Sequence, residues 1–522
     1  MKMKTVSKLF TMKKNLMFWA VLMTGLLAGT VLNSCKKDDP VVDNSDQVDD
    51  KTGEAYKWGT DGGVTSCDHL LFNGVIGNGD QEFVFTGKQT IAKGTYTLKG
   101  WVYVADGAEL TIEPGTVIKG HKLTKSALIV EPGGKLYAQG TSSEPIVFTS
   151  GEDKGSRKPG DWGGLIVCGK ARNNQGTIQI EGGPRTKHGG NDDSDNSGVI
   201  SYVRVEFAGY PFESDKEINA VTFGSVGSGT QVDHVQVSYT NDDSYEWFGG
   251  AVNCKYLIAY KGWDDEFDTD NGFSGKVQFG LSVRDPRVAD KSMSNGFESD
   301  NCADGASVDP YTSCTFSNMT FIGPKAVASD FSNSVDYITG GSVYPNNGSG
   351  LGLFQAAMQI RRGSRLNCFN SIATGYPIGI IIDGEKGDTP ASAQNGLLAV
   401  QNVWMSNMDC LGSDKNKLFS DVYYNWQTGA EESGKQSNSR TWFLAQSGNQ
   451  YTESADSWQL ADAAGVGAAF MPQAGSPLLS AASFSDSRLA AGFDRVSYIG
   501  AFAAGDSWLD GWTEFDPQNA DY

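Results

Sequence analysis

Apolar, β-branched residues recur along this chain in short runs, alternating with polar ones and halted by glycine-containing turns. GWVYVADG, ALIVEPGG, PIVFTS, ISYVRVEFAGY, KVQFGLSVRDP and IGIIIDG are examples. A period of two with frequent turn signals predicts strands. No helical pattern of comparable strength interrupts them, which disfavours alternating strands and helices. Two kinds of repeat stand out. Leu110–Gly115 and Leu128–Gly133 are near copies 18 residues apart. The segments 235–250 and 257–272 align at an offset of 22, which places Asp242-Asp243 on Asp264-Asp265 and Gly250 on Gly272. A repeat near 20 residues, holding a strand and a turn, predicts an all-β solenoid: a single-stranded parallel β-helix with a cap at each end.

The same pattern divides the chain. Residues 1–34 form a targeting segment and 35–54 a polar tether. Residues 55–97, Gly-rich and irregular, are expected to cap the coil, which occupies 98–413. Residues 414–522 supply the last rungs and an aromatic, turn-rich cap tucked against the final rung. Loops are expected at 180–198, 291–314 and 385–395.

Charge and address narrow the function. The formal net charge is -20, and loss of the first 34 residues, with five lysines and no acid, takes it to -25. Such a surface disfavours nucleic acid and anionic lipid headgroups and tolerates cations and neutral substrates. Lys2, Lys4, Lys8, Lys13 and Lys14 precede an apolar stretch over 16–31, as in an export signal. Leu32-Asn33-Ser34-Cys35 resembles a bacterial lipobox, which implies that Cys35 is diacylated and becomes the new N-terminus. Of the seven other cysteines, Cys302 and Cys314 flank a loop and are the candidate disulfide pair; Cys168, Cys254 and Cys368 sit in apolar strand patterns. No CxxC spacing occurs and the four histidines are scattered, which disfavours zinc.

The aligned pair at 235–272 carries the candidate chemistry. Stacked rungs bring carboxylates roughly 4.8 Å apart. Like charges that close call for a cation, a shared proton, a basic ligand or open water. Asp264, Asp265, Asp268 and Asp270 offer hard oxygens of the kind calcium takes, though the glycine at 272 does not fit an EF-hand loop. Asp242, Asp243, Asp264 and Asp265 are candidate catalytic acids. Arg284 and Arg287 are candidate bases or binders of an anionic sugar, since an offset of 22 puts Arg284-Asp285-Pro286-Arg287 on the next rung in place of the acidic turn. Trp247, Trp263 and Phe273, with Glu246, are candidate ligand-binding residues, the aromatic faces suiting sugar rings.

The segment EPGT…ALIVEPGGKLYAQGT…PIVFTS, the motifs SYEWFGG and WDDEFDTDNG, and the closing YIGAF…WLDGWTEFDPQN together resemble a family of Bacteroidota surface lipoproteins. That resemblance spans about 90–522 and implies a right-handed parallel β-helix of the pectate-lyase superfamily type. With Lys36-Lys37-Asp38-Asp39 after Cys35, it implies a lipid anchor in the outer membrane, facing outward. It also implies a place beside a TonB-dependent transporter and its substrate-capturing lipoprotein. The function expected is binding of a glycan or other nutrient, or an accessory role in uptake. The alternatives are a polysaccharide lyase or glycoside hydrolase at the acidic face, and an adhesin or scaffold. The hydrolase signatures of the fold, Asn-Thr-Asp, Gly-His-Gly and Arg-Ile-Lys, do not occur at the expected places.

Overall fold

The computed structural model describes residues 56–212, 217–426, 428–461 and 468–522. The signal segment, Cys35 and the tether lie outside the described residues. Strands stack in parallel into two long sheets of 13 and 16 members, the coil of a parallel β-helix. A hairpin of Trp58–Asp61 and Val64–Cys67 closes the start, and parallel stacking begins with Val64–Cys67 on Phe83–Phe85. The coil therefore starts inside the segment expected to be only a cap.

Five successive strands of the first sheet frame the acidic residues: β1 (Val221–Gly224), β2 (Tyr245–Phe248), β3 (Phe267–Asp270), β4 (Phe297–Ser299) and β5 (Ala356–Ile360), of which β2, β3 and β4 carry acids. Tyr245 pairs with Phe267, the offset of 22 read from sequence. Phe267 pairs with Phe297 and Phe297 with Met358. Alternation sends Val221, Phe223, Tyr245, Trp247, Phe267 and Phe297 into the core. There Phe223 stacks on Trp247 at 5.8 Å and Tyr245 on Phe267 at 5.5 Å. The Tyr245 hydroxyl lies 2.7 Å from the Val235 carbonyl and 3.0 Å from that of Ile258, so its polar end is paired inside the core. Thr222, Glu246, Asp268, Glu298 and Gln359 fall in one outward-facing column. The corners after β2 and β3 need Gly250 and Gly272, at φ 86° and 87°. A Cβ there would lie 2.5 Å from the Val226 carbonyl and 2.4 Å from that of Pro310.

The second sheet is bent. Each of its eight- or nine-residue strands carries one left-handed residue at the bend, and these residues stack: Tyr202, His234, Tyr256, Phe279, Asn318, Asn370 and Asn402. The first four are aromatic, with centroids 4.2, 4.4 and 5.0 Å apart. Asparagine tolerates left-handed backbone, and Asn402 Nδ2 donates to Asn370 Oδ1 at 2.7 Å.

Three expectations are corrected. The near copies at 110–115 and 128–133 do not stack on each other. Ala127 pairs with Trp101 and Lys135 with Glu109, a local period of 26, because the two copies occupy different faces of the coil. The third rung does not keep the offset of 22. Leu257 pairs with Gly280, and an inserted loop then delays β4, so Ser294-Asn295 rather than Arg284–Arg287 follows Asp264-Asp265 in the stack. The C-terminal segment is not confined to the last rung. It runs back along the bend: Asn402 donates to the Ala481 carbonyl, Asn318 to that of Tyr498, Trp508 packs on Tyr256, and Trp512 on His234 and Tyr202.

Candidate functional site

Two residues before each strand of β1–β4 stand Asn219, Asp243, Asp265 and Asn295, and their side chains link rung to rung. Asp243 Oδ1 accepts the Asp265 N–H at 2.8 Å, Asp265 Oδ1 accepts the Asn295 N–H, and Asn295 Oδ1 accepts the Ala356 N–H at 3.0 Å. One oxygen of each aspartate thus serves the backbone of the next rung. The outward column brings Glu246, Asp268 and Glu298 alongside. Asn219 Nδ2 donates to Glu246 Oε2.

These residues floor an open groove of about 440 Å³. Its walls come from distant segments: Glu181, Glu217, Asp290, Lys291 and Ser292, Arg361 and Arg362, Asn416 and Lys417. Ten carboxylates line it against four cationic side chains. The arginines are already engaged. Arg361 Nη2 donates to Glu298, its Nε to Asp300 Oδ1 at 2.8 Å, and Arg362 Nη1 to Asp300 Oδ2 at 2.9 Å.

Three carboxylate triplets overlap along the floor: Asp242, Asp243 and Asp264; Asp243, Glu246 and Asp268; Asp265, Asp268 and Glu298. Within each, one oxygen from every residue lies within 4.8 Å of the others. Burial, then the neighbouring carboxylates, pushes Asp242, Asp243, Glu246, Asp265 and Asp268 well above the usual carboxylate range. Burial and Asp290 raise Asp264 to about 8, although the Ser292 hydroxyl lies 2.5 Å from its Oδ2. Asp264 Oδ1 and Asp268 Oδ1 are shielded from water and have no hydrogen-bond partner. Orphaned carboxylate oxygens amid further hard oxygens fit a divalent cation of the calcium type.

The structure therefore gathers Asp242, Asp243, Glu246, Asp264, Asp265 and Asp268 in one groove. Asp270 lies on β3 but outside the three triplets; burial, then Asp300, raises it to about 7. Other sequence candidates are corrected. Arg284 is wholly buried. Its Nη1 donates to Glu266 Oε1 and to the Asp264 carbonyl, both at 2.6 Å, so it is a structural ion pair and not an accessible base. Arg287 packs over the Tyr337 ring at 3.6 Å, outside the groove lining. Trp247 and Phe273 are core residues stacked at 5.3 Å. Trp263 is buried, with its Nε1 donating to the Gly350 carbonyl. None of the three offers a face to a ligand. Cys302 and Cys314 are free thiols: Cys302 Sγ lies 3.2 Å from Asp304 Oδ1, while Cys314 is buried in the core beside Thr315–Ile322.

Sequence reasoning set Glu298 and Asp300 in a loop on the side of the acidic face; Glu298 does line the groove but belongs to β4, and Asp300 lies outside the lining, holding Arg361 and Arg362. Other lining residues were missed. Glu181, in the expected loop at 180–198, reaches the groove through a fold of the chain that no local pattern announces. Arg361 and Arg362 follow β5 directly, and their place one rung beyond Glu298 was the available signal.

With coil and groove described, the comparison that decides the family is the match of residues 84–447 to a pectate-lyase-like β-helix domain. The chain belongs to that family. No curated protein and no solved structure matches it. The family match covers every residue of the groove floor, so the carboxylates sit within the family's own domain and not on an appended segment. Among the described residues, no helix is long and apolar enough to cross a membrane.

Proposed function

We propose that this pectate-lyase-like β-helix is a lipid-anchored surface protein whose acidic groove binds a divalent cation and, through it, a glycan. The observation that carries the reading is the three overlapping carboxylate triplets with orphaned oxygens at Asp264 and Asp268. Stacked carboxylates repel, and a calcium ion answers both the repulsion and the orphaned oxygens. Its unfilled coordination positions take hydroxyl or carboxylate oxygens of a sugar in the open groove. The anchor rests on the basic n-region and Leu32–Cys35, and implies an outward-facing outer-membrane site beside a TonB-dependent transporter and its substrate-capturing lipoprotein. Chromatography on immobilised acidic and neutral polysaccharides, with calcium and with chelator, tests the groove. Retention that is indifferent to chelator contradicts the reading. Co-purification from membranes tests the partnership, and a lipoprotein recovered alone counts against it.

A second reading, glycan cleavage, draws on Asp264, whose carboxyl is raised to about 8 beside the Asp242–Asp243 pair. A carboxyl held protonated is the general acid of a glycoside hydrolase; Asp242 and Asp243 are raised as well, so they supply the second, ionised carboxylate only once one of them gives up its proton. A screen for new reducing ends decides it. The lyase form has less support, because Arg361 and Arg362 are held by carboxylates.

A further inference from the structure

The three triplets on the groove floor are not equivalent. The first, Asp242, Asp243 and Asp264, and the third, Asp265, Asp268 and Glu298, have no residue in common. The middle one borrows Asp243 from the first and Asp268 from the third and adds only Glu246. The outer two can therefore each hold an ion at the same time, whereas the middle one is not independent of them. Within a triplet the oxygens lie at most 4.8 Å apart. They enclose a point no more than about 2.8 Å from all three, close to the roughly 2.3–2.6 Å of a calcium–oxygen contact.

The most buried members are already set to ligate. Asp243, Asp265 and Glu246 are 8%, 4% and 6% exposed, and all three line the groove. Each has one oxygen engaged inside the protein: Asp243 by the Asp265 N–H, Asp265 by the Asn295 N–H and Glu246 by Asn219 Nδ2. The other oxygen of each accepts no hydrogen bond shown among the described residues. A carboxylate fixed through one oxygen presents the second without a further loss of side-chain freedom. The first triplet joins the rung of β2 to that of β3, and the third joins the rung of β3 to that of β4. The two are thus one rung apart, roughly 4.8 Å. Glu246, in the triplet that overlaps both, offsets the repulsion between two ions at that spacing.

Charge then narrows the ligand. Ten carboxylates line the groove against four cationic side chains, an excess of six negative charges when all are ionised. One divalent ion reduces that excess to four, and a pair reduces it to two. Arg361 and Arg362 are also engaged by Asp300, which lies outside the lining. The loaded groove therefore stays negative and offers no unengaged arginine to a sugar carboxylate. An acidic glycan enters against that field. A neutral one does not, and two adjacent hydroxyl oxygens supply part of the roughly six to eight that calcium takes.

We infer that the groove is a two-cation site, with one divalent ion of the calcium type in each outer triplet, and that its ligand is a neutral glycan held on those ions through adjacent hydroxyls. This rests on the reading of the groove as a cation-dependent glycan site and narrows it.

Calorimetric titration of the chelator-treated protein with calcium counts the ions. Two per chain are expected. Asp242→Asn, which alters the first triplet alone, is expected to leave one, and Asp242→Asn combined with Asp268→Asn to leave none. One ion per chain in the unsubstituted protein, or two that Asp242→Asn leaves untouched, overturns the pair; calcium-dependent glycan binding beside either result leaves the groove reading standing. The ligand class is read by titrating the calcium-loaded protein with oligosaccharides too short to gel with calcium. The neutral set is manno-, xylo- and cello-oligosaccharides, and the acidic set is oligogalacturonates and oligomannuronates. At least one neutral probe is expected to bind at least tenfold tighter than every acidic one, and chelator to abolish that binding. Tighter calcium-dependent binding of an acidic probe overturns the neutral class and again spares the groove reading. Two ions with binding of no probe overturns the ligand class and the glycan reading together and leaves the cation pair.

Discussion

The same rungs stack two very different columns. At the bend of the second sheet, Tyr202, His234, Tyr256 and Phe279 lie ring on ring, and Asn318, Asn370 and Asn402 continue the line, with Asn370 and Asn402 hydrogen-bonded side chain to side chain. Each of these residues also meets the returning C-terminal segment or a ladder neighbour. On the first sheet, Glu246, Asp268 and Glu298 stack at the same rung spacing. Rings and amides gain from that repetition; carboxylates lose by it. Where the fold needs an acid it pairs it: Glu266 is buried against Arg284, and Asp243 and Asp265 cap the next rung's backbone. Asp264 and Asp268 keep an oxygen with no partner. A column that costs stability and persists in a coil able to stack favourable residues is better explained by what it binds than by what it holds up.

Breaking the paired side costs most. Arg284→Met leaves Glu266 buried without its partner and is expected to lose about 3–5 kcal/mol, read as the shift in a denaturant midpoint. In the ladder, Asn370→Ala removes an acceptor from Asn402 and from the Ser483 N–H and is expected to cost about 1–3 kcal/mol. Tyr256→Ala removes two stacking partners, His234 and Phe279, at about 1–2 kcal/mol. The unpaired side moves the other way. Asp268→Asn in chelator is expected to raise the melting temperature by a few degrees, because it removes a repelled charge and keeps the shape. A fall as large as that of Arg284→Met would show Asp268 to be structural.

The pH profile separates the two columns further. Carboxyls raised in the folded state hold protons that the unfolded chain has released. Their contribution to stability is present at low pH and is lost as pH rises through the folded values, between the ordinary 3.8 and about 8 for Asp264. In chelator, the melting temperature is therefore expected to fall across that window. A profile that rises from pH 5 to pH 8 in chelator would contradict the account of the groove.

Much of this was legible before folding. The offset of 22 and the glycines at 250 and 272 are the true register of β2 and β3, since backbone pairing and positive φ act on every rung alike. Strand parity was also available. In Tyr245-Glu246-Trp247, an outward Glu246 puts Trp247 in the core, and reading aromatics as platforms overlooked that alternation. The third rung was not legible, because the loop between Val283 and Phe297 breaks the period and hides that Glu298 continues the column. The repeat at 110–133 misled for a physical reason: the coil uses similar strand-turn chemistry on different faces, so likeness in sequence need not be adjacency in space.

The central claim, that the acidic column is a cation site, is tested most directly by calorimetric titration of the chelator-treated protein with calcium at pH 7.5 in two buffers of different ionisation enthalpy. The account predicts saturable binding with proton release, since raised carboxyls must ionise to bind. It predicts at least a tenfold loss of affinity in Asp268→Asn and in Glu246→Gln. Absence of binding, or binding without proton release that both variants leave unchanged, would contradict it.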